Sequence, residues 1–227
     1  MKFIIDASPA LSWVAAGELP ALIKLAEAYG ARIAVCARVD HEVQGKARDE
    51  RFARTGVDTR WTTLKQSNRV TLLPDAVIGA STHSYPDDDE TAKFERLPEG
   101  VSSDVYAELL GKMLEIVCLG TTAQDRVRKG KDLGEDLSTA HALALAVLGH
   151  DVILHIDEGR GRAEAKRAVK RMMDGYAETG IITVTDSAIL LKGCREEWFS
   201  SGRTHVEVWQ RLCRYDDALD PKHKDFN

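Results

Sequence analysis

The sequence predicts an α/β protein whose mostly parallel central sheet carries helices on both faces. Short apolar runs such as Phe3-Ile4-Ile5 and "ARIAVCA" lack the polar alternation of a half-exposed strand, so they suit strands covered on both sides. These runs alternate along the chain with stretches of helical periodicity, the order expected of a parallel sheet with crossover helices. Two of the runs, "FIID" and "DVILHID", also stop at a carboxylate, Asp6 and Asp157. The carboxyl ends of strands are where open α/β sheets form their sites.

Taken in order, the first strand leads through Ser8-Pro9 into a helix to Ala16, since Ser favours the cap and Pro the first turn. Leu22, Ile23 and Ala26 give a second helix, Leu19 to Tyr29, its apolar stripe, and Gly30 suits its C-terminal position. "ARIAVCA" is the second strand. "RVDHEVQGKARDERFAR" is polar but helix-compatible, with Val39 and Val43 on one face. "NRVTLL" is a further strand, ended by Pro74. The stretch from Asp75 to Gly100 has no periodicity and reads as a loop or lid; its Asp87-Asp88-Asp89-Glu90 run reads as a solvated acidic loop. "SSDVYAELLGKMLEIVCLG" is an amphipathic helix with Ser102 or Ser103 as cap. After a polar segment come an Ala-rich helix, a turn at Gly149-His150, the strand "DVILHID", a basic helix, and "GIITVTDSAILLKG" as strand and short helix. The end of the chain from Pro221 is polar and reads as frayed.

A length of 227 residues allows one domain with a sizeable core. With 44% hydrophobic and 30% charged residues the composition is that of an ordinary globular chain. No apolar run approaches the roughly 20 residues that span a bilayer, and Asp6 interrupts what would be a secretory signal. Cys36, Cys118, Cys194 and Cys213 show neither C-x-x-C nor zinc-ligand spacing, which fits a reducing cytoplasm. The net charge of −5 argues against a protein that coats nucleic acid nonspecifically, while leaving room for a nuclease with an acidic site.

Asp6 reads either as a helix cap or as a site acid. In a parallel sheet, neighbouring strand ends would bring Asp6 and Asp157 together. Asp136 opens the Ala-rich helix in phase with Ala140, Leu143, Ala144 and Val147, so that stripe would aim it at the sheet edge; a dipole partner is the alternative. Glu135 faces away from that stripe and ranks second. Glu42 lies on the helix after "ARIAVCA", roughly in phase with Val39 and Val43, and alone would read as a surface residue. Crowded carboxylates repel by about 4 kcal/mol per pair at 4 Å and an effective dielectric of 20. A hard divalent cation such as Mg²⁺ removes that cost and activates water.

"FIIDAS", "VCARVDHEVQGKA", "DLSTAHALALAVLGHDVILHIDEGRGRAEAKRA" and "GIITVTDSAILLKG" together resemble a PIN domain, the fold of VapC-type toxin ribonucleases, over residues 1–50 and 130–195. The resemblance implies a three-layer α/β/α PIN-like fold over 1–195, with an inserted loop-helix segment at about 75–130 and a C-terminal helix and polar tail at 196–227. It implies a metal-dependent endoribonuclease using Mg²⁺ or Mn²⁺, with Asp6, Glu42, Asp136 and Asp157 as catalytic and metal-binding acids. Ser8 matches the hydroxyl residue that supports the first acid, and Glu135 stays open as the third. RNA is the implied substrate, with an antitoxin protein and a second copy of the chain as candidate partners.

A dehalogenase-like phosphatase would need an acid where Ser8 stands, and no P-loop motif is present. His155 reads as a core histidine rather than a ligand or proton shuttle. Arg160, Arg162, Lys166, Arg167, Lys170 and Arg171 follow Asp157 on a basic helix, placed either to hold RNA phosphates, with Arg160, Arg162, Lys166 and Lys170 as the candidate contacts, or as a solvated face. Trp198 and Trp209 read as packing residues before base-stacking ones. The rival function is a PIN-like module that binds RNA or a protein without cutting.

Overall fold

The computed structural model describes residues 1–75, 96–119 and 133–226. Five strands pair within them: β1 (Lys2–Ile5), β2 (Arg32–Cys36), β3 (Val70–Leu73), β4 (Val152–His155) and β5 (Ile182–Thr185). Their order is β3-β2-β1-β4-β5, and every pairing is parallel. The first strand of the chain is therefore the central one, with Ile4 beside both Ala34 and Leu154. Phe3, Ile4 and Ile5 are fully buried. The continuous apolar run is explained by this cover on both faces.

Alternation sorts the strand residues between two packing clusters. Ile4, Ala34, Leu154 and Ile156 meet Ala142 and Leu145 of α7 (Leu133–Val147) and Ala165 of α8 (Gly159–Gly175). Phe3, Ile5, Ile33 and Val35 belong to the larger core, with Trp13 of α1 (Ala7–Ala16) and Leu22 of α2 (Leu19–Ala28). Gly17, at φ 77°, ends α1 in the left-handed conformation that glycine adopts without strain.

After β2 the chain forms α3 (Ala37–Lys46) and the single turn α4 (Glu50–Ala53). The next helix, α5 (Val57–Gln66), was not legible as a helix amid its threonines. Its signal is the i, i+4, i+7 series Val57, Trp61, Leu64. It is pinned to α3 through buried Asp40, which accepts from Trp61 Nε1 at 2.6 Å and from Lys65 Nζ at 3.0 Å.

The helix expected inside the insertion is present as α6 (Ser103–Val117), and Ser102 caps it by accepting from Val105 N. It is no appendage. Tyr106, Leu110, Met113 and Leu114 are fully buried, and α6 packs along α7. Arg171 of α8 donates to the Ile116 and Val117 carbonyls and closes the C-terminus of α6. Tyr106 Oη lies 2.7 Å from His141 Nδ1, and His141 Nε2 lies 2.7 Å from Asp75 Oδ1. Asp75 also accepts from Arg38 N at 2.5 Å. Asp75 lies in a bend just after β3, as the loop reading expects, and is the buried joint between α3, α6 and α7. The Asp87–Glu90 run falls outside the described residues.

The chain ends with α9 (Ser187–Gly193), two 3-10 turns, and α10 (His205–Leu212), opened by a capping box between Thr204 and Glu207. The tail is not frayed. Phe226 is 2% exposed and stacks on Trp209 at 4.8 Å, and Lys192 pairs with Asp225. Trp209 is a packing residue, its Nε1 bonded to the Asp220 carbonyl. Trp198 packs partly buried beneath the Arg195 guanidinium. No described helix is long and apolar enough to cross a membrane.

Candidate acidic site

The parallel order places the carboxyl ends of β1 and β4 side by side, and the Asp6 amide donates to the His155 carbonyl at 3.1 Å. Asp6 sits at the N-cap of α1, yet its side chain makes no capping hydrogen bond. Its Oδ1 is buried without a partner. Burial pushes the Asp6 carboxyl up to about 7; the Ala7 amide and Lys46 ease this, while Glu42 and Asp157 add to it. A buried oxygen left unpaired beside like charges is costly, so capping does not account for Asp6.

Glu42 reaches in from α3. Its carboxylate lies against the first turn of α7, where a Cβ on Gly134 would stand 2.9 Å from Oε2. Arg38 holds the other oxygen at 2.8 Å.

Of the two acids that open α7, the favoured Asp136 and the alternative Glu135, it is Glu135 that lies toward Asp6. Burial raises the Glu135 carboxyl to about 8, with Asp6 the foremost of the acids that add to it. Its carboxylate occupies the space beside Gly161 of α8, where any Cβ would overlap it. Asp136 turns the other way, toward Cys118 at the end of α6. The reason lies in α7, which is buried all round from Leu137 to Ala146. Its sheet-facing row is Ala142 and Leu145, extended by Ser138, which touches the Cys36 thiol. One turn earlier that row reaches Gly134 and Glu135. The row through Ala140 and Leu143 was mistaken for it.

Asp157 stands beside Asp6 but is held from behind. Its Oδ1 accepts from the Ser187 amide and its Oδ2 from the Ser187 hydroxyl, both at 2.7 Å. Burial would raise its pKa; His155 and these two bonds outweigh that and hold it below the ordinary value. Ser187 Oγ also accepts from Trp13 Nε1 at 2.9 Å. Its one proton goes to Asp157, so His155 Nε2, 2.9 Å away, must be a donor as well. His155 is thus a core histidine.

Ser8 does not support Asp6. Its hydroxyl donates to Asp216 Oδ2 at 3.0 Å, a carboxylate from the segment after α10 whose pKa is raised by burial and by Asp157. Asp216 was missed, because nothing in "RYDDALDP" marks a residue that folds back more than 200 positions to Ser8.

The basic helix divides. Arg162 donates to the Ile156 and Asp157 carbonyls and lies 3.6 Å from Asp186, so it braces the end of β4. Arg160 is exposed and pairs with Glu164 at 2.9 Å. Lys166 and Lys170 are exposed. Arg167 and Arg171 instead line a cavity of about 230 Å³ that Glu135, Asp136 and Thr139 share.

Among the described residues no three His, Cys, Asp or Glu side chains form a ready cage for a cation. Mg²⁺ needs only one or two carboxylates with retained waters. The unpaired Asp6 oxygen and the raised Glu135 carboxyl fit that smaller demand.

No family model, curated protein or solved structure matches this chain. The functional reading rests on its own residues.

Proposed function

We propose that the protein is a divalent-metal-dependent ribonuclease of PIN-like fold. The observation that carries this reading is Asp6: a half-buried carboxylate with one oxygen buried and unpaired, at the end of the central strand, flanked by Glu42 and Glu135. Asp6 and Glu135 would hold Mg²⁺ or Mn²⁺, with Glu42 adjacent. The bound ion would neutralise phosphodiester charge and supply an activated water. Asp157, fixed by Ser187, contributes negative charge from behind Asp6. Burial raises both the Asp6 and Glu135 carboxyls in the metal-free protein, so cation uptake favours release of their protons. Arg167, in the adjoining cavity, is placed to meet a phosphate oxygen. A toxin role with an antitoxin partner belongs to the same proposal.

Incubation of RNA with the purified protein tests it. Cleavage is expected with Mn²⁺ or Mg²⁺ and none in EDTA. Asp6→Asn and Glu135→Gln should abolish it, and Asp136→Asn should keep most of it. Undiminished cleavage in EDTA would sink the reading.

One observation favours a second function, RNA or protein binding without cleavage: both Asp157 oxygens are occupied and Glu42 is tied to Arg38. RNA bound but intact with either metal would establish that function instead.

A further inference from the structure

Away from the acids, three guanidiniums gather at the other end of α1. Ten helical residues separate Asp6 from Gly17, which puts this place about 15 Å from the strand ends. Arg60 of α5 donates to the Val14 carbonyl at 3.1 Å, and Arg211 of α10 grips the Ala16 carbonyl through Nε and Nη2. Arg203 pairs with Glu18. Arg60 and Arg211 thus close the C-terminus of α1, where cations are favoured, while Arg203 is held by Glu18 just beyond it.

Capping uses only part of them. One N–H group of Arg60 and two of Arg211 serve these carbonyls, out of five on each guanidinium. Glu18 is fully buried, and its two oxygens are taken by Arg203 and the Ser200 amide. Arg203 is thus matched by Glu18, with the exposed Glu207 carboxylate also near it, whereas the hydrogen bonds of Arg60 and Arg211 go to backbone carbonyls. The three arginines line a groove of about 480 Å³, within the usual range of small-molecule sites. Leu19, Pro20 and Leu64 supply an apolar wall, and Thr59 and Thr63 supply hydroxyls at the rim.

We propose that this groove binds a nucleoside 5′-phosphate, its phosphate on Arg60, Arg203 and Arg211 and its base against Leu19, Pro20 and Leu64. A phosphate monoester carries close to two negative charges at pH 7, matching the guanidiniums of Arg60 and Arg211, whose forks suit its oxygens. A carboxylate would leave one positive charge unmet. The ligand comes either as a free nucleotide or as the phosphorylated 5′ end of an RNA. The site does not depend on the acids at the strand ends.

Calorimetry on the full chain in EDTA tests this with a nucleoside 5′-monophosphate, the nucleoside, inorganic phosphate, and a short RNA with or without a 5′-phosphate. The monophosphate or the 5′-phosphorylated RNA should bind, and whichever binds identifies the source. Arg60→Gln should weaken binding about tenfold or more, the loss of a charge-assisted bond. Thr63→Glu should do the same by placing a carboxylate at the rim. Thr63 is exposed and bonds only to the Thr59 carbonyl of its own helix, so this variant keeps the fold even if Arg60→Gln does not. Parent affinity in Thr63→Glu overturns the proposal. So does equal binding of the nucleoside or of inorganic phosphate, or no binding of either phosphorylated ligand.

Discussion

Asp6 couples the candidate chemistry to stability. An unfolded chain releases its carboxyl protons near pH 4, whereas folded Asp6 and Glu135 hold theirs to about 7 and about 8. Folding therefore takes up protons at these two groups, and their contribution to stability is greatest below about pH 4 and is lost as pH rises toward 8, whereas Asp157, held below its ordinary value, contributes in the opposite sense. For Asp6 the shift corresponds to roughly 4 kcal/mol as an upper bound. Asp6→Asn should accordingly raise the unfolding midpoint at pH 8 and change it little at pH 4, by calorimetry in EDTA. A variant less stable than the parent at pH 8 would show that burial does not strain this carboxylate. Mn²⁺ should stabilise the parent more at pH 8 than at pH 6, since it displaces those protons. Gly161→Ala gives a second test at this scale. Its methyl would meet the Glu135 carboxylate, so cleavage and Mn²⁺ affinity should both fall. The strand-end acids were legible because a charge closing an apolar run is conspicuous. Glu135 against Asp136 was not, because adjacent helical positions differ by only about 100° and α7 has no exposed face to set the phase.

Among the elements, α6 shows how an inserted segment becomes part of the core. Its amphipathic pattern was plain in the sequence, but its partner was not, since nothing local says that Tyr106 will meet His141 and Asp75. Tyr106→Phe removes the hydroxyl on His141 Nδ1 and leaves a buried ring nitrogen unpaired, which should cost about 1–3 kcal/mol in urea denaturation. The change should also loosen α3, because Asp75 holds the Arg38 amide and Arg38 holds Glu42. A stability unchanged by Tyr106→Phe would mean the network is incidental. Gly45 in α3 and Gly111 in α6 have open space where a Cβ would stand. Each change to Ala should add roughly 0.5–1 kcal/mol by restricting the unfolded chain. A loss of stability at either would mean that neighbours crowd it. The helix α5 went unread because its threonines disfavour a helix locally; the buried Asp40–Lys65 pair and Trp61 outweigh them.

For the whole molecule, the C-terminal tail is a closing strap. Its polar composition suggested fraying, since Leu219 and Phe226 are the only large apolar residues from 216 to 227. Both are buried, and Phe226 lies against Trp209. Phe226→Ala should cost about 3 kcal/mol or more, as for other buried phenylalanines, and should expose Trp209 to a fluorescence quencher. Unaltered quenching and stability would return the tail to the frayed state read from its composition. The alternation of strands and helices made the sheet legible, while the return of residues 213–226 to Ser8 and Arg51 was invisible because it is purely tertiary.

The position of β1 also orders events in time. It pairs with β2 some 30 residues on, but with β4 only after 150 residues. Closing that longer loop waits until most of the chain has left the ribosome. Asp6 and Glu42 can meet early, whereas Glu135, Asp157 and the Ser187 clasp all follow much later in the chain. A chain made only as far as α7 therefore carries its first acids in an unfinished sheet, and the site is whole only once Ser187 has followed.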